Sequence, residues 1–265
     1  MKKVIQILLV SLLVLTFTSC SSDDNGNQPD TSVVLLKKME SDVMGNHGVY
    51  NFSYSGRKLT KVNYEIHTPG IQTGYDKYFY TGELITEIKT FNGSNQNTFS
   101  TVFTYNANNQ LEQVVKLNLQ NSTATKMVFT YNSNGTVDAL NYTGTLESQT
   151  TLTAVSEKYF IENNDIVRIE FTGSISQTAM DFEYDAANNP MRNVTGMDKI
   201  KLHTYDSDGR YGITKNLKKV TTYFATVQSS QVDFELVYDE NNYPLTRYSS
   251  ETSPGPFSYN FEYYK

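Results

Sequence analysis

The chain predicts an all-β fold, an antiparallel meander of about sixteen strands made of repeated β-hairpins and curled into a barrel-like or sandwiched sheet. Three observations predict it. Pairs of apolar or aromatic residues two apart recur along the chain, the second most often tyrosine, and each pair is followed by a polar turn closed by Gly or Asn. Successive pairs lie 21 to 33 residues apart, room for two strands of about eight residues, one tight turn and one looser loop. Finally, an open sheet of sixteen strands would leave an apolar face in water, so it must close or fold over itself.

The unit is clearest at Phe129-Thr-Tyr131-Asn-Ser-Asn-Gly135-Thr-Val137. Residues two apart share a face of a strand, so Phe129 and Tyr131 point the same way, and Val137 opens the return strand. Further copies begin at Phe52, Tyr78, Phe103, Tyr159, Phe182, His203 and Leu236, with Gly56, Gly82, Asn109, Asn164, Asn188, Gly209 and Asn242 closing the turns. Gly and Asn reach a positive φ at least cost, which is why they stand there. Phe261-Glu-Tyr263 repeats the strand without a turn. Return strands are expected to open at Leu59, Leu84, Leu111, Val137, Ile166, Met191, Tyr211 and Leu245. Their next apolar residue often comes three places later, as at Val62 and Val114, which predicts a β-bulge beside each corner.

The first 19 residues read as a signal peptide, not as fold. Lys2 and Lys3 precede an apolar run, Val4 to Phe17, too short to span a bilayer comfortably, and Cys20 follows Phe17-Thr-Ser. Cleavage before Cys20 leaves 246 of 265 residues and takes the formal charge from −6 to −8, because Lys2 and Lys3 depart. An acidic chain whose densest basic cluster is Lys215, Lys218 and Lys219 is no nucleic-acid binder. With one cysteine in the whole chain there is no disulfide framework, so stability must come from apolar burial. Residues 20–32, which open Cys-Ser-Ser-Asp-Asp, read as a flexible tether, and 33–265 as a single hairpin-repeat domain.

No chemistry-bearing constellation stands out: no catalytic residue, cofactor site or metal site is predicted. The sequence has no H-E-x-x-H, G-x-S-x-G or phosphate-binding glycine loop. His47, His67 and His203 are far apart in sequence and lack metal spacing. Asp206-Ser-Asp208-Gly209 has the look of a calcium loop but lacks its later ligands, and turn chemistry explains it. Glu183, Asp185 and Glu235 are expected on the solvated face rather than as a carboxylate pair. Long polar connections, such as His67 to Asp76 and Thr143 to Lys158, gather at the rim opposite the tight corners, where binding is expected.

Two resemblances add to this. The Phe17-Thr-Ser-Cys20 segment resembles a bacterial lipobox, which implies that Cys20 carries the lipid. Tyr205-Asp-Ser-Asp-Gly209, Tyr238-Asp-Glu-Asn-Asn242 and Tyr184-Asp-Ala-Ala-Asn188 resemble the YD repeats of RHS-type β-shells. The chain is more similar still to a group of Bacteroidota surface lipoproteins in which degenerate YD-like hairpins follow a lipobox and an Asn-Pro segment, here Asn189-Pro190, interrupts the repeats. The resemblance implies a lipid-anchored protein of the outer membrane and cell surface. The resemblance brings no activity or catalytic residue; with no chemistry-bearing constellation in the sequence, the expected role is a non-enzymatic binding or scaffold module that meets the membrane through the N-terminal lipid, with a glycan or a protein as the candidate partner. A structural component of the envelope and a carbohydrate-active hydrolase are the alternatives.

Overall fold

A computed structural model describes residues 28–43, 45–203, 214–249 and 256–264. Cys20 and the lipobox lie outside the described residues, as does the corner expected from Tyr205 to Gly209.

The chain forms one sheet of 17 strands in sequence order, all pairings antiparallel. Strand β1 (Leu35–Val43) pairs with β2 (Asn46–Ser55) and also with the last strand, β17 (Phe257–Tyr264), so the meander closes on itself. Between them run β3 (Lys58–His67), β4 (Ile71–Thr81), β5 (Leu84–Asn92), β6 (Asn97–Tyr105), β7 (Leu111–Asn118), β8 (Thr123–Tyr131) and β9 (Val137–Thr145). There follow β10 (Thr151–Glu162), β11 (Asp165–Thr172), β12 (Ala179–Asn188), β13 (Lys215–Phe224), β14 (Val227–Asp233), β15 (Glu235–Tyr238) and β16 (Pro244–Ser249). Only Phe234 separates β14 from β15; β14 pairs with β13 and β15 with β16. The two are halves of one broken strand, so the meander of about sixteen strands is what forms, as a nearly closed barrel.

The turn chemistry holds at six corners. Gly56, Gly82, Asn109, Gly135, Asn164 and Asn242 all have positive φ, from 57° to 85°. At Asn106, Asn132 and Asp239 a type I-like turn closes with the backbone N–H of the third residue on donating back, as from Gly135 to the Asn132 carbonyl at 3.0 Å. The expected bulges are present as register shifts just before Tyr54, Tyr80, Tyr105, Ile161, Tyr184 and Tyr238. The β8–β9 corner runs without one.

Two inward layers form the core at the corner end. Phe52, Tyr78, Phe103, Phe129, Tyr159, Phe182 and Phe261 make one, all at most 8% exposed. In the outer layer the tyrosines have a second task. Tyr105 donates its hydroxyl to the Ile85 carbonyl, Tyr131 to Leu111, Tyr184 to Ile166, Tyr263 to Pro244 and Tyr54 to Leu36, at 2.6 to 3.0 Å. Each acceptor stands on the strand next door, so every such tyrosine ties its own hairpin to the one before. Phenylalanine would fill the space but leave a rim carbonyl without a donor. Burial accordingly raises the Tyr131 hydroxyl pKa to about 12.

Two sequence expectations fail here, for one reason. Met191 opens no return strand and His203 begins no corner, because residues 189–203 leave the sheet. Pro190 cannot donate to a ladder and biases Asn189 toward extended backbone, so β12 stops. The segment then coils in successive tight turns: Val194 N–H donates to the Met191 carbonyl, Met197 to Val194, Ile200 to Met197 and His203 to Ile200. A period of three puts Met191, Val194, Met197 and Ile200 on one side, and with Leu202 all are at most 4% exposed against the corner-end core. This plug is fastened to the corners themselves. Arg57 Nε donates to the Asn193 carbonyl (3.0 Å), Lys201 Nζ to the Asn164 carbonyl (2.7 Å), and Asn193 Nδ2 to the Val34 carbonyl and the Tyr243 hydroxyl. Burial lowers the Lys201 pKa to about 8. Gly196, at φ 77°, lies so close to the β4–β5 corner that a Cβ would stand 2.5 Å from the Glu83 carbonyl oxygen.

The outer wall is charged. Arg168 bridges Glu170 (3.0 Å) and Asp181 (2.6 Å), Lys219 meets Glu183 (3.0 Å), Lys158 meets Asp138 (3.6 Å), and Lys38 lies between Glu40 and Glu262. These residues occupy the outward positions of their strands at mid-height. A lipid-facing wall carries an apolar band there instead.

Candidate functional site

One register step from the apolar core toward the loop end, the inward positions change character. Tyr50, Asp76, Thr101, Met127 and Glu157 follow the phenylalanine layer along their strands. Tyr64, Thr90, Lys116, Asn141 and Phe171 stand opposite them. The repeat is strict for two layers and varied in the third, and the variation is polar. A cavity of about 310 Å³ opens there, walled by Tyr64, Asp76, Thr90, Phe99, Thr101 and Lys116 and floored by Ile200 and His203 of the plug.

Local chemistry fixes each wall. Thr90 Oγ1 donates to Asp76 Oδ1 at 2.7 Å, which orients the carboxylate within the lumen. Tyr64 lies across Gly74, its paired residue on β4, where a Cβ would sit 2.3 Å from the Tyr64 hydroxyl oxygen. Glycine at 74 is therefore what lets the ring lie flat over the wall. Lys116 projects inward opposite Thr101 with its ammonium 5.1 Å from the Phe99 ring centroid, and is exposed to the lumen solvent. Among the described residues no carboxylate forms an ion pair with it within 4 Å. On the floor, His203 packs edge-on to Phe103 at 5.5 Å, and burial, with Lys116 nearby, pushes its pKa down to about 4, so it is neutral at pH 7.

This arrangement suits binding. It offers a cation and an oriented carboxylate, hydroxyl donors and two ring faces around a space the size of one or two sugar units or a small polar metabolite. On the last strands, Arg247, 3% exposed and paired with Tyr259 two residues from Phe261, stacks on Phe234 at 3.9 Å and faces Tyr259 at 5.2 Å.

The sequence candidates disperse. Glu183 pairs with Lys219 on the outer wall, Asp185 accepts the Tyr238 hydroxyl, and Glu235 is exposed on β15. His203 is the plug floor, while His47 and His67 come together on the outer wall, 5.8 Å apart between ring centroids, a cross-strand neighbourhood that their separation in sequence conceals. Asp206 and Asp208 lie outside the described residues. Sequence reasoning missed Asp76, Thr90 and Lys116. The signal was available, since each sits two positions from an apolar or aromatic residue of the phenylalanine layer, on the same face.

No family model and no curated protein match the chain. Solved structures do resemble it. A porin-like protein from Bacteroides uniformis ATCC 8492 superposes with a TM-score of 0.52 at 9% identity, covering 86% of this chain and 97% of that one. A porin-like protein from Bacteroides vulgatus ATCC 8482 gives 0.47 at 11% identity, covering 86% and 98%. The barrel is thus of the fold seen in a porin-like protein of Bacteroides.

Proposed function

We propose that the chain is a lipid-anchored lipoprotein of the outer membrane, displayed at the cell surface, whose loop-end lumen binds a small polar or glycan ligand without transforming it. The observation that carries this reading is the third inward layer, where Lys116, with no ion-pair partner among the described residues, an oriented Asp76 and two aromatic faces share one open cavity. The barrel likeness and the lipobox resemblance support the envelope location. The charged outer wall supports anchoring by lipid in place of a spanning barrel. The N-terminus enters at the corner end: Asp30 N–H donates to the Gly56 carbonyl and Gly56 N–H to the Gln28 carbonyl. A lipid on Cys20 would then draw the plugged end toward the membrane and leave the cavity facing away.

A protein capping the loop rim is the second reading. It is favoured by apolar side chains at the tips of the loop-end connections, Ile71 at 66%, Ile175 at 92% and Val227 at 68% exposed. Thermal shift of the mature chain against neutral and acidic glycans tests the first. A glycan that raises the melting temperature of the wild type and not of Lys116→Met supports lumenal binding. A shift equal in both places the ligand elsewhere. Loss of palmitate labelling in Cys20→Ala tests the anchor.

A further inference from the structure

We propose that His47 and His67 form a two-histidine site for a borderline divalent transition ion, such as Cu²⁺, Ni²⁺ or Zn²⁺, on the outer wall at the loop rim. The site is separate from the lumenal one and stands whether or not that reading holds. The two residues are direct partners in the β2–β3 ladder, so their side chains rise from the same face, and the rings meet at 66° with centroids 5.8 Å apart.

Each ring is oriented by its own carboxylate. His47 Nδ1 is 2.8 Å from Asp42 Oδ1, contributed by β1, and His67 Nε2 is 2.6 Å from Glu65 Oε1 on its own strand. A carboxylate accepts, so the proton belongs on those two nitrogens. That leaves a lone pair on His47 Nε2 and on His67 Nδ1, and among the described residues neither nitrogen has a hydrogen-bond partner. A ring held by a carboxylate through one nitrogen with the other free is the arrangement that fixes tautomer and raises basicity in metal-binding histidines. An ion about 2.0–2.1 Å from one nitrogen of each ring would bring the centroids to roughly 5 Å, a short approach from the observed separation that small χ1 rotations supply, with χ2 aiming the nitrogens. Imidazole selects copper, nickel or zinc over calcium or magnesium, and water completes the coordination. Both rings are 41% exposed, open to solution without any rearrangement of the barrel.

The experiment is a titration of the mature chain, without a polyhistidine tag and with Cys20→Ser to remove the thiol, against Cu²⁺ and Ni²⁺ by calorimetry. One equivalent should bind, more tightly for copper than for nickel. His47→Gln and His67→Gln should each weaken binding about tenfold or more, and Asp42→Asn about tenfold with both rings retained. All three side chains lie on the outer wall at least 41% exposed, so the melting temperature without metal should stay put, which separates loss of the site from loss of the fold. Affinity unchanged in either single histidine variant, or no binding at millimolar copper, overturns the proposal.

Discussion

The two ends of the barrel are built from the same strands and differ in almost everything else. At the corner end the repeats contribute similar pairs of large inward side chains, five tyrosine hydroxyls clasp a hairpin to the strand next door, and a plug of tight turns covers the result. At the loop end the same strands carry Asp76, Thr101, Lys116 and Glu157 at equivalent positions, no two alike, around open space. Similar large side chains at equivalent positions are what packing demands, since each must meet similar neighbours. Divergence at the next step is what a site with several distinct contacts demands.

The contrast is sharpest in stability. Phe129→Ala at the corner end should cost about 3–5 kcal/mol, read as a fall in the denaturation midpoint, because a side chain 5% exposed leaves a cavity in the core. Gly196→Ala should cost about 2 kcal/mol or more: the new Cβ meets the Glu83 carbonyl and the residue must hold a left-handed φ. Tyr184→Phe should cost about 1–2 kcal/mol by stranding the Ile166 carbonyl. Lys116→Met at the loop end should change stability by no more than about 0.5 kcal/mol. If Lys116→Met proved as costly as Tyr184→Phe, the division between a stabilising end and a binding end would be wrong.

A pH-dependent effect comes from acid. The folded pKa of His203 lies near 4 and the unfolded value near 6.5, so the unfolded chain binds the proton first as pH falls. Stability from this residue is intact above pH 6.5 and declines between 6.5 and 4, by up to about 3 kcal/mol. His203→Phe should flatten that part of the pH–stability curve. An unchanged slope would mean that the imidazole is wetter than its packing against Phe103 implies.

What was legible in the sequence was the part that repeats. The turn closers Gly56, Gly82, Asn109, Gly135, Asn164 and Asn242, the bulges beside most corners and the strand number follow from local rules of backbone geometry, whereas Asn188 ends β12 and closes no such turn. The tyrosine clasps were half visible: tyrosine recurring where phenylalanine would serve as core implied a use for the hydroxyl, but the acceptor carbonyls, 18 to 20 residues away, depend on register. The plug was misread because His203-Thr-Tyr205 imitates the repeat, while the true signal was the spacing by three of Met191, Val194, Met197 and Ile200. The lumenal residues could be placed on the inward face by their two-residue spacing from the core layer, but which of them meet, like the His47–His67 pair, could not be read. Both sets of contacts are made across strands, and pairing converts residues 14 to 20 apart into neighbours without leaving a local trace.

Accessibility of single cysteines in a Cys20→Ser background tests the comparison most directly. A polar maleimide should label Lys116→Cys and Thr125→Cys, which face the open lumen, within the time it labels an exposed site, and should label Ala139→Cys, on the same wall beneath the plug and 0% exposed, only after denaturation. Rapid labelling of Ala139→Cys in the folded protein, or protection of Lys116→Cys, would mean that the barrel is open at the wrong end.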